Sequence, residues 1–359
     1  MTSNENILMY GDNLQSLQYI AGDSDLRGKV RLIYIDPPYG TMQDFTFTGG
    51  RFSTISRVKG GQVAYNDNVS GAEYLEFMSA RLKLMHDILA DDGSIYLHID
   101  LKMGHYIKVL MDEIFGQQNF INDITRIKCN PKNFSRKGYG NVKDMILFYS
   151  KTKNYVSNEP REKITATQNS KRFKQFDDNG RRFTTTPLHA PGQTNKGDTG
   201  KPWRGMLPPA GRHWCHSPHA LEEMDKDGLI HWSSTGNPRK IIYADDVMDA
   251  GTKMQDIWLF KDPQNPRYPT EKNMDMLKTV ISASSNEGDT VMDTFCGSGT
   301  TLVAAQELKR NFIGMDASAQ AIAICKERLA DFNFKITADM YETDVIEEQA
   351  INRQHASVR

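Results

Sequence analysis

The chain has 359 residues, with 44 Lys+Arg balancing 45 Asp+Glu for a formal net charge of −1. Hydrophobic residues make up 38% and charged residues 25%, and no apolar run reaches membrane-spanning length, which excludes a disordered chain and a helical membrane protein. Four scattered cysteines, Cys129, Cys215, Cys296 and Cys325, lack framework spacing and predict reduced thiols in a cytosol.

The first ten residues have no positively charged stretch followed by an apolar core, so no secretory leader is predicted. Residues 7–13 (Ile-Leu-Met-Tyr-Gly-Asp-Asn) read as a short strand and turn before a helix from Leu14, with Asp12 placed to N-cap it. Residues 30–39 follow, Val-Arg-Leu-Ile-Tyr-Ile-Asp-Pro-Pro-Tyr. An apolar, β-branched strand ends at Asp36, because Pro37 and Pro38 have no N–H to continue a ladder. In open α/β sheets the carboxyl end of a strand is where ligands bind. There a carboxylate, a fixed carbonyl and the ring of Tyr39 can grip a flat, amine-bearing ring. Residues 40–71 are Gly/Ser/Thr-rich and long enough to be a lid.

A helix is predicted over residues 73–89, a turn at Asp92-Gly93, a strand over 94–99 and a helix over 102–115 ended by Gly116. Met85, Met103 and Met111 read as core, and His98 and Asp100 as structural residues near a strand end. Residues 126–240 then carry 22 Lys+Arg against 10 Asp+Glu, a balance of +12 that leaves the remainder at −13. A segregated basic block predicts a polyanionic partner. Within it Lys171, Arg172, Arg181, Arg182, Lys201, Trp203 and Arg204 suit phosphate contacts and base stacking. Asn179-Gly180 has the chemistry of a hairpin turn. The cluster at residues 212–219, with His213, Cys215, His216 and His219, lacks a second ligand pair at usable spacing, and no metal is predicted.

Tyr268-Pro269-Thr270-Glu271-Lys272 precedes a helix over 274–284, whose N-terminus favours negative charge. Residues 289–318 read as strand (290–293), Gly-rich turn (295–299), helix (300–308) and strand (311–315), a βαβ unit with Asp316 placed for ribose hydroxyls. Leu302 stands where a dinucleotide fingerprint has its third glycine. A nucleoside without phosphates, such as S-adenosylmethionine, fits better. Residues 332–359 are polar and acid-rich and read as a frayed helix or tail.

The Asp36-Pro37-Pro38-Tyr39 motif, followed in the chain by Phe295-Cys296-Gly297-Ser298-Gly299, resembles the β class of amino-group DNA methyltransferases, in which the catalytic motif precedes the cofactor motif. The resemblance implies an α/β, Rossmann-like S-adenosylmethionine-dependent methyltransferase fold, circularly permuted, with an inserted target-recognition region. It divides the chain into a catalytic half (1–125), a basic target-recognition region (126–260), a cofactor-binding half (261–330) and a C-terminal tail (331–359). It implies catalytic roles for Asp36, Pro37, Pro38 and Tyr39. Asp293, Phe295, Cys296, Gly297, Gly299, Thr300 and Asp316 would bind S-adenosylmethionine. Asp12 would lie near its adenine, and Thr270 and Lys272 near its methionine tail, although Asn273 replaces the family's usual proline.

The implied reaction is methylation of the N6 amine of a flipped adenine in duplex DNA, with Asp36 and the Pro37 carbonyl accepting its hydrogen bonds and Tyr39 stacking on the ring. The sulfonium is already activated, so neither a metal nor a covalent enzyme intermediate is required. Cytosine-N4 methylation stays open, as does a role as the DNA-recognition and modification subunit of a restriction or defence complex. Double-stranded DNA is the expected partner, a homodimer and separate restriction subunits are compatible with the family, and the expected location is the cytoplasm of a bacterial, archaeal or phage-infected cell.

Overall fold

The computed structural model describes residues 5–38, 44–48, 51–53, 62–66, 71–131, 135, 137–162, 171–194, 197–264, 266, 268, 271–338 and 345–346. Tyr39 and Thr270 lie outside the described residues. So does much of the expected lid, whose described parts form three short antiparallel strands in the order 51–53, 44–48, 62–66. The chain forms two units, Met1–Pro160 with Gln255–Arg359, and Arg161–Met254.

The first unit is built on one ten-stranded sheet. In chain order its strands are β1 (Ile7–Tyr10), β2 (Val30–Ile35), β3 (Leu89–Ile99), β4 (Phe120–Ile127), β5 (Lys143–Ser150), β6 (Ile257–Trp258), β7 (Thr290–Asp293), β8 (Asn311–Asp316), β9 (Lys335–Ala338) and β10 (Val345–Ile346). Its helices are α1 (Asn13–Gly22), α2 (Gly71–Ile88), α3 (Gly104–Phe115), α4 (Met274–Ser284), α5 (Thr300–Glu307) and α6 (Ala319–Arg328). The strand order is β6-β4-β5-β3-β2-β7-β8-β1-β9-β10. The five strands β3-β2-β7-β8-β1 are mutually parallel. Central parallel strands are covered on both faces, which is why β2 reads as an apolar run rather than an alternation. Ile33, Ile35, Ile95 and Leu97 pack with Leu17 of α1, Met78 and Leu82 of α2 and Met111 of α3. Tyr96 points the other way, where its hydroxyl bonds the Ser284 hydroxyl of α4 at 2.8 Å.

One consequence of this register positions the site. Each of the five parallel strands ends in, or is followed within two residues by, an aspartate: Asp100, Asp36, Asp293, Asp316 and Asp12 in sheet order. Strand β5 runs antiparallel to β3, so its start, with Asp144, lies beside the same edge.

Three expectations change. Residues 126–160 do not begin the inserted unit: β4 and β5 complete the main sheet, and Met145, Ile146, Leu147 and Tyr149 are buried in it. The separate unit starts at Arg161 and holds only 15 Lys+Arg against 11 Asp+Glu. The basic flanks of β5 masked a strand whose apolar run is short. Asp92-Gly93 is not a turn between elements but an irregularity inside β3, where Val30 pairs Leu89 and Leu32 already pairs Ser94. The expected tail contributes β9, parallel to β1, with Ile336 buried. Without it the edge of β1 would leave its N–H and C=O groups unpaired. Among the described residues no helix is long and apolar enough to cross a membrane.

The second unit holds a four-stranded antiparallel sheet in the order Gln175–Phe176, Arg182–Pro187, Pro238–Tyr243, Ile230–Trp232. The Asn179-Gly180 turn closes its first hairpin, with Gly180 at φ +78°. A small core joins Leu188, Trp203, Trp214, Leu221 and Ile230. Trp203 is 3% exposed and donates its indole N–H to Glu222 at 3.0 Å. Trp203→Phe should cost about 1–2 kcal/mol of stability, through the lost hydrogen bond and lost ring. Urea denaturation followed by tryptophan fluorescence measures it, and an unchanged midpoint would contradict this packing.

Candidate active site

Asp36 leaves β2 with Pro37 buried behind it. Its Oδ2 accepts a hydrogen bond from the ammonium of Lys272, and both side chains are mostly buried. Its Oδ1 lies 3.9 Å from Nδ1 of His98, a fully buried imidazole on β3. Burial pushes the His98 pKa below its ordinary value, so the ring is neutral near pH 7. A neutral ring has one N–H to give. Asp144 is acceptor-only at 3.4 Å from Nε2, so Nε2 carries the proton and Nδ1 accepts from the Tyr34 hydroxyl at 3.0 Å. Burial, then the field of Asp36, raises Tyr34 far above its usual value and keeps that hydroxyl protonated.

Burial alone would raise Asp144. The hydrogen bond from His98 and the Lys128 ammonium at 2.6 Å outweigh it and hold the carboxyl well below the usual range. Arg126, fully buried, closes this network: its guanidinium lies 3.7 Å from Asp144 and 2.6 Å from Asp262, and bonds the Phe260 carbonyl at 2.8 Å.

Next in the sheet is Asp293. One oxygen accepts from the Thr301 hydroxyl at 2.6 Å and the other from the Phe295 N–H at 3.1 Å. Burial raises its pKa to about 7, against those two hydrogen bonds and with the fields of Asp36 and Asp316. A carboxyl raised in the fold binds a proton that the unfolded chain does not. Its contribution to stability is therefore full below about pH 4 and is lost as pH rises through about 7. Asp293→Asn should remove that dependence: measured against the parent by urea denaturation, the variant should gain on the order of 3 kcal/mol between pH 4 and pH 8. A constant difference across that window would refute it.

The turn after Asp293 carries Gly297 at φ +52° and Gly299 at φ +75°. At Gly299 space adds to conformation, since a Cβ there would sit 2.8 Å from Cys325 Sγ. The gap is thus closed by this chain's own thiol. Asp316 ties the turn to β8, accepting from the Gly297 and Ser318 N–H groups at 2.8 Å each, while burial raises its pKa. Cys296 is buried, with its thiol pushed well up by its Cys325 neighbour and by burial. Arg328 bonds the Ser298 carbonyl at 2.8 Å and the Thr300 hydroxyl at 2.9 Å, and meets Glu271 at 3.3 Å. Asp12 N-caps α1 through the Leu14 N–H at 3.0 Å and pairs with Arg81 at 2.8 Å. Asn273, standing in place of the usual proline, N-caps α4 through the Met276 N–H at 3.1 Å.

The structure therefore brings Asp36, Lys272, Asp293, Phe295, Cys296, Gly297, Gly299, Thr300, Asp316 and Asp12 to one end of one sheet. Sequence reasoning missed Arg81, Asp144, Arg126 and Arg328. A signal for Arg81 existed: it interrupts the apolar stripe of Tyr74, Met78, Leu82 and Met85 on α2, where an arginine needs a buried partner. In the second unit Lys171, Arg172 and Arg182 are exposed. Arg181 is paired with Asp245 and Asp246, Lys201 with Asp198, and Arg204 with Glu222 and Asp225. Trp203 is a core residue, so its ring is not available for base stacking. In the 212–219 cluster, Arg212–Trp214 is a strand paired with His189–Pro191.

Residues 30–327 match the family model described as DNA methylase. Type II methyltransferase M.EcaI of Enterobacter cloacae is 44% identical over 331 aligned positions, an alignment that covers 90% of this chain and 69% of that protein. The Mod subunit of the type III restriction-modification enzyme StyLTI of Salmonella typhimurium is 26% identical over 397 aligned positions, gaps included, covering 99% of this chain and 58% of that protein. Among solved structures, PvuII DNA methyltransferase (cytosine-N4-specific) superposes with a TM-score of 0.51 at 13% identity over 91% of this chain and 87% of that one, a likeness of fold.

Proposed function

The chain belongs to the DNA methylase family, and from that premise we propose that it transfers a methyl group from S-adenosylmethionine to the exocyclic N6 amine of adenine in duplex DNA. The observation that carries this reading is Asp36, a carboxylate at the end of β2, one strand away from the Asp293–Gly299 turn. S-adenosylmethionine supplies an activated methyl on a sulfonium. The residues at this end of the sheet suit such a ligand: five aspartates outnumber the Lys272 and Arg81 cations that pair with two of them, which favours a cationic nucleoside over a pyrophosphate. Phe295 to Thr300, Asp316 and Asp12 would hold it.

Asp36 accepts one hydrogen bond from the target amine and the Pro37 carbonyl a second. Both localise the nitrogen lone pair, which ring conjugation otherwise withdraws. The proton that the amine sheds passes to Asp36. Tyr39 would stack on the extruded base. Positioning and exclusion of water supply most of the rate. Lys171, Arg172 and Arg182 meet phosphates, and Arg181, Lys201 and Arg204 can exchange exposed acid partners for them, since exposed pairs are weak. Trp203 acts through the fold of its unit. A cytoplasmic location, a homodimer and a partner nuclease belong to the same proposal.

The test is transfer of labelled methyl to unmethylated duplex DNA, with D36A as control and nucleoside analysis of the product. Label in N6-methyladenine that is lost in D36A supports the reading. Label in N4-methylcytosine keeps the chemistry and replaces the base. Tight DNA binding without label favours a modification subunit that needs its partner.

A further inference from the structure

We infer that Lys272 is a positioning residue for Asp36, fixing the orientation of the carboxylate that receives the target amine, rather than a ligand for the cofactor tail. The inference rests on the methyl-transfer reading above. Its ground is the direct contact between the Lys272 ammonium and Asp36 Oδ2, reaching from the segment before α4 to the end of β2. Lysine side chains normally leave their heads in water, and an ammonium is costly to bury unless it is paired. Here the Lys272 side chain is 9% exposed and that of Asp36 14%.

The backbone on either side of Lys272 is pinned. Glu271 meets Arg328 at 3.3 Å, and Asn273 caps α4 while donating to the Lys261 carbonyl at 3.0 Å. The ammonium is thus delivered from a fixed base, not from a pliant loop. It also arrives where charge demands it. The titratable groups around Asp36 are His98 and Tyr34 from β3 and β2, and Asp293 from β7. The first two are neutral, and the Lys272 ammonium brings a cation into direct contact with Asp36.

The test uses the full chain with K272M and K272R, and binding of S-adenosylhomocysteine by calorimetry as a readout apart from turnover. For K272M we expect kcat at saturating cofactor to fall about a hundredfold, the scale of a misplaced catalytic group. S-adenosylhomocysteine affinity should stay within about threefold. K272R should recover part of the loss. The inference is overturned if K272M loses affinity for S-adenosylhomocysteine tenfold or more while kcat holds, or if neither changes.

A double-mutant cycle in thermal unfolding, D36N against K272M, covers a variant that folds poorly and a parent without activity. Coupling between the two substitutions supports the pair, and additive shifts in Tm overturn it. A parent inactive on every DNA would sink the methyl-transfer reading alone, and the cycle would still decide the contact.

Discussion

Asp36→Asn should lower kcat for methyl transfer about a thousandfold, with a lower Tm because Lys272 loses its buried counter-charge, and with S-adenosylhomocysteine affinity nearly unchanged. Asparagine keeps the size and one acceptor oxygen of the side chain. On the proposed mechanism it removes the negative charge that would localise the amine lone pair and the base that would take the amine proton. The backbone at this position is set by Pro37 and by β2, whose neighbours Ile33, Tyr34 and Ile35 are fully or almost fully buried, so the strand stays in place and the stability cost is that of Lys272 left facing an amide. Single-turnover methyl transfer at saturating cofactor, with circular dichroism and calorimetry alongside, measures all three quantities. A loss of less than tenfold would remove Asp36 from the chemical step. A loss of cofactor affinity would turn it into a binding residue.

Arg126→Ala should destabilise the chain by about 3–5 kcal/mol, seen as a lower urea midpoint. The guanidinium has a side-chain exposure of 1%, and its removal leaves a buried void, strips the donor from the Phe260 carbonyl and leaves Lys128 as the remaining cation beside Asp144. Asp262 is half-exposed and recovers water, so the cost falls on the buried groups. Methionine keeps much of the buried volume, so R126M should recover part of the loss. Since Asp144 orients His98, the alanine variant should also lower kcat. A midpoint unchanged in R126A would mean that water reaches this network.

The two motifs were legible because each couples an unusual backbone to a polar side chain. Pro37 and Pro38 end β2 at an acid, and Gly297 and Gly299 turn the chain between two more. Strands β7 and β8 and helix α4 fell close to their expected bounds because their buried runs are bordered by turn residues. The arrangement of the basic block was not legible. Charge counts do not distinguish Arg126, spent inside the main sheet, from Lys171, exposed on the second unit. Nor does a Trp-Arg pair in a Gly-flanked segment reveal that Trp203 is core and Arg204 is held by two acids. The role of β9 was hidden for another reason: a four-residue strand whose buried side chains are Ile336 and the polar Thr337 carries no apolar periodicity. Lys272 was legible as a site residue, but its partner across 236 positions of sequence was not.

The row of aspartates has a consequence for turnover. Giving up the methyl group removes the positive charge from the donor's sulfur and leaves the rest of the nucleoside alike. The edge is not of one sign: Lys272 matches Asp36, Arg81 matches Asp12, and Asp293 holds a proton up to about pH 7. The acids left over should favour the charged donor over its neutral remnant only modestly, and competition between the two in calorimetry measures by how much.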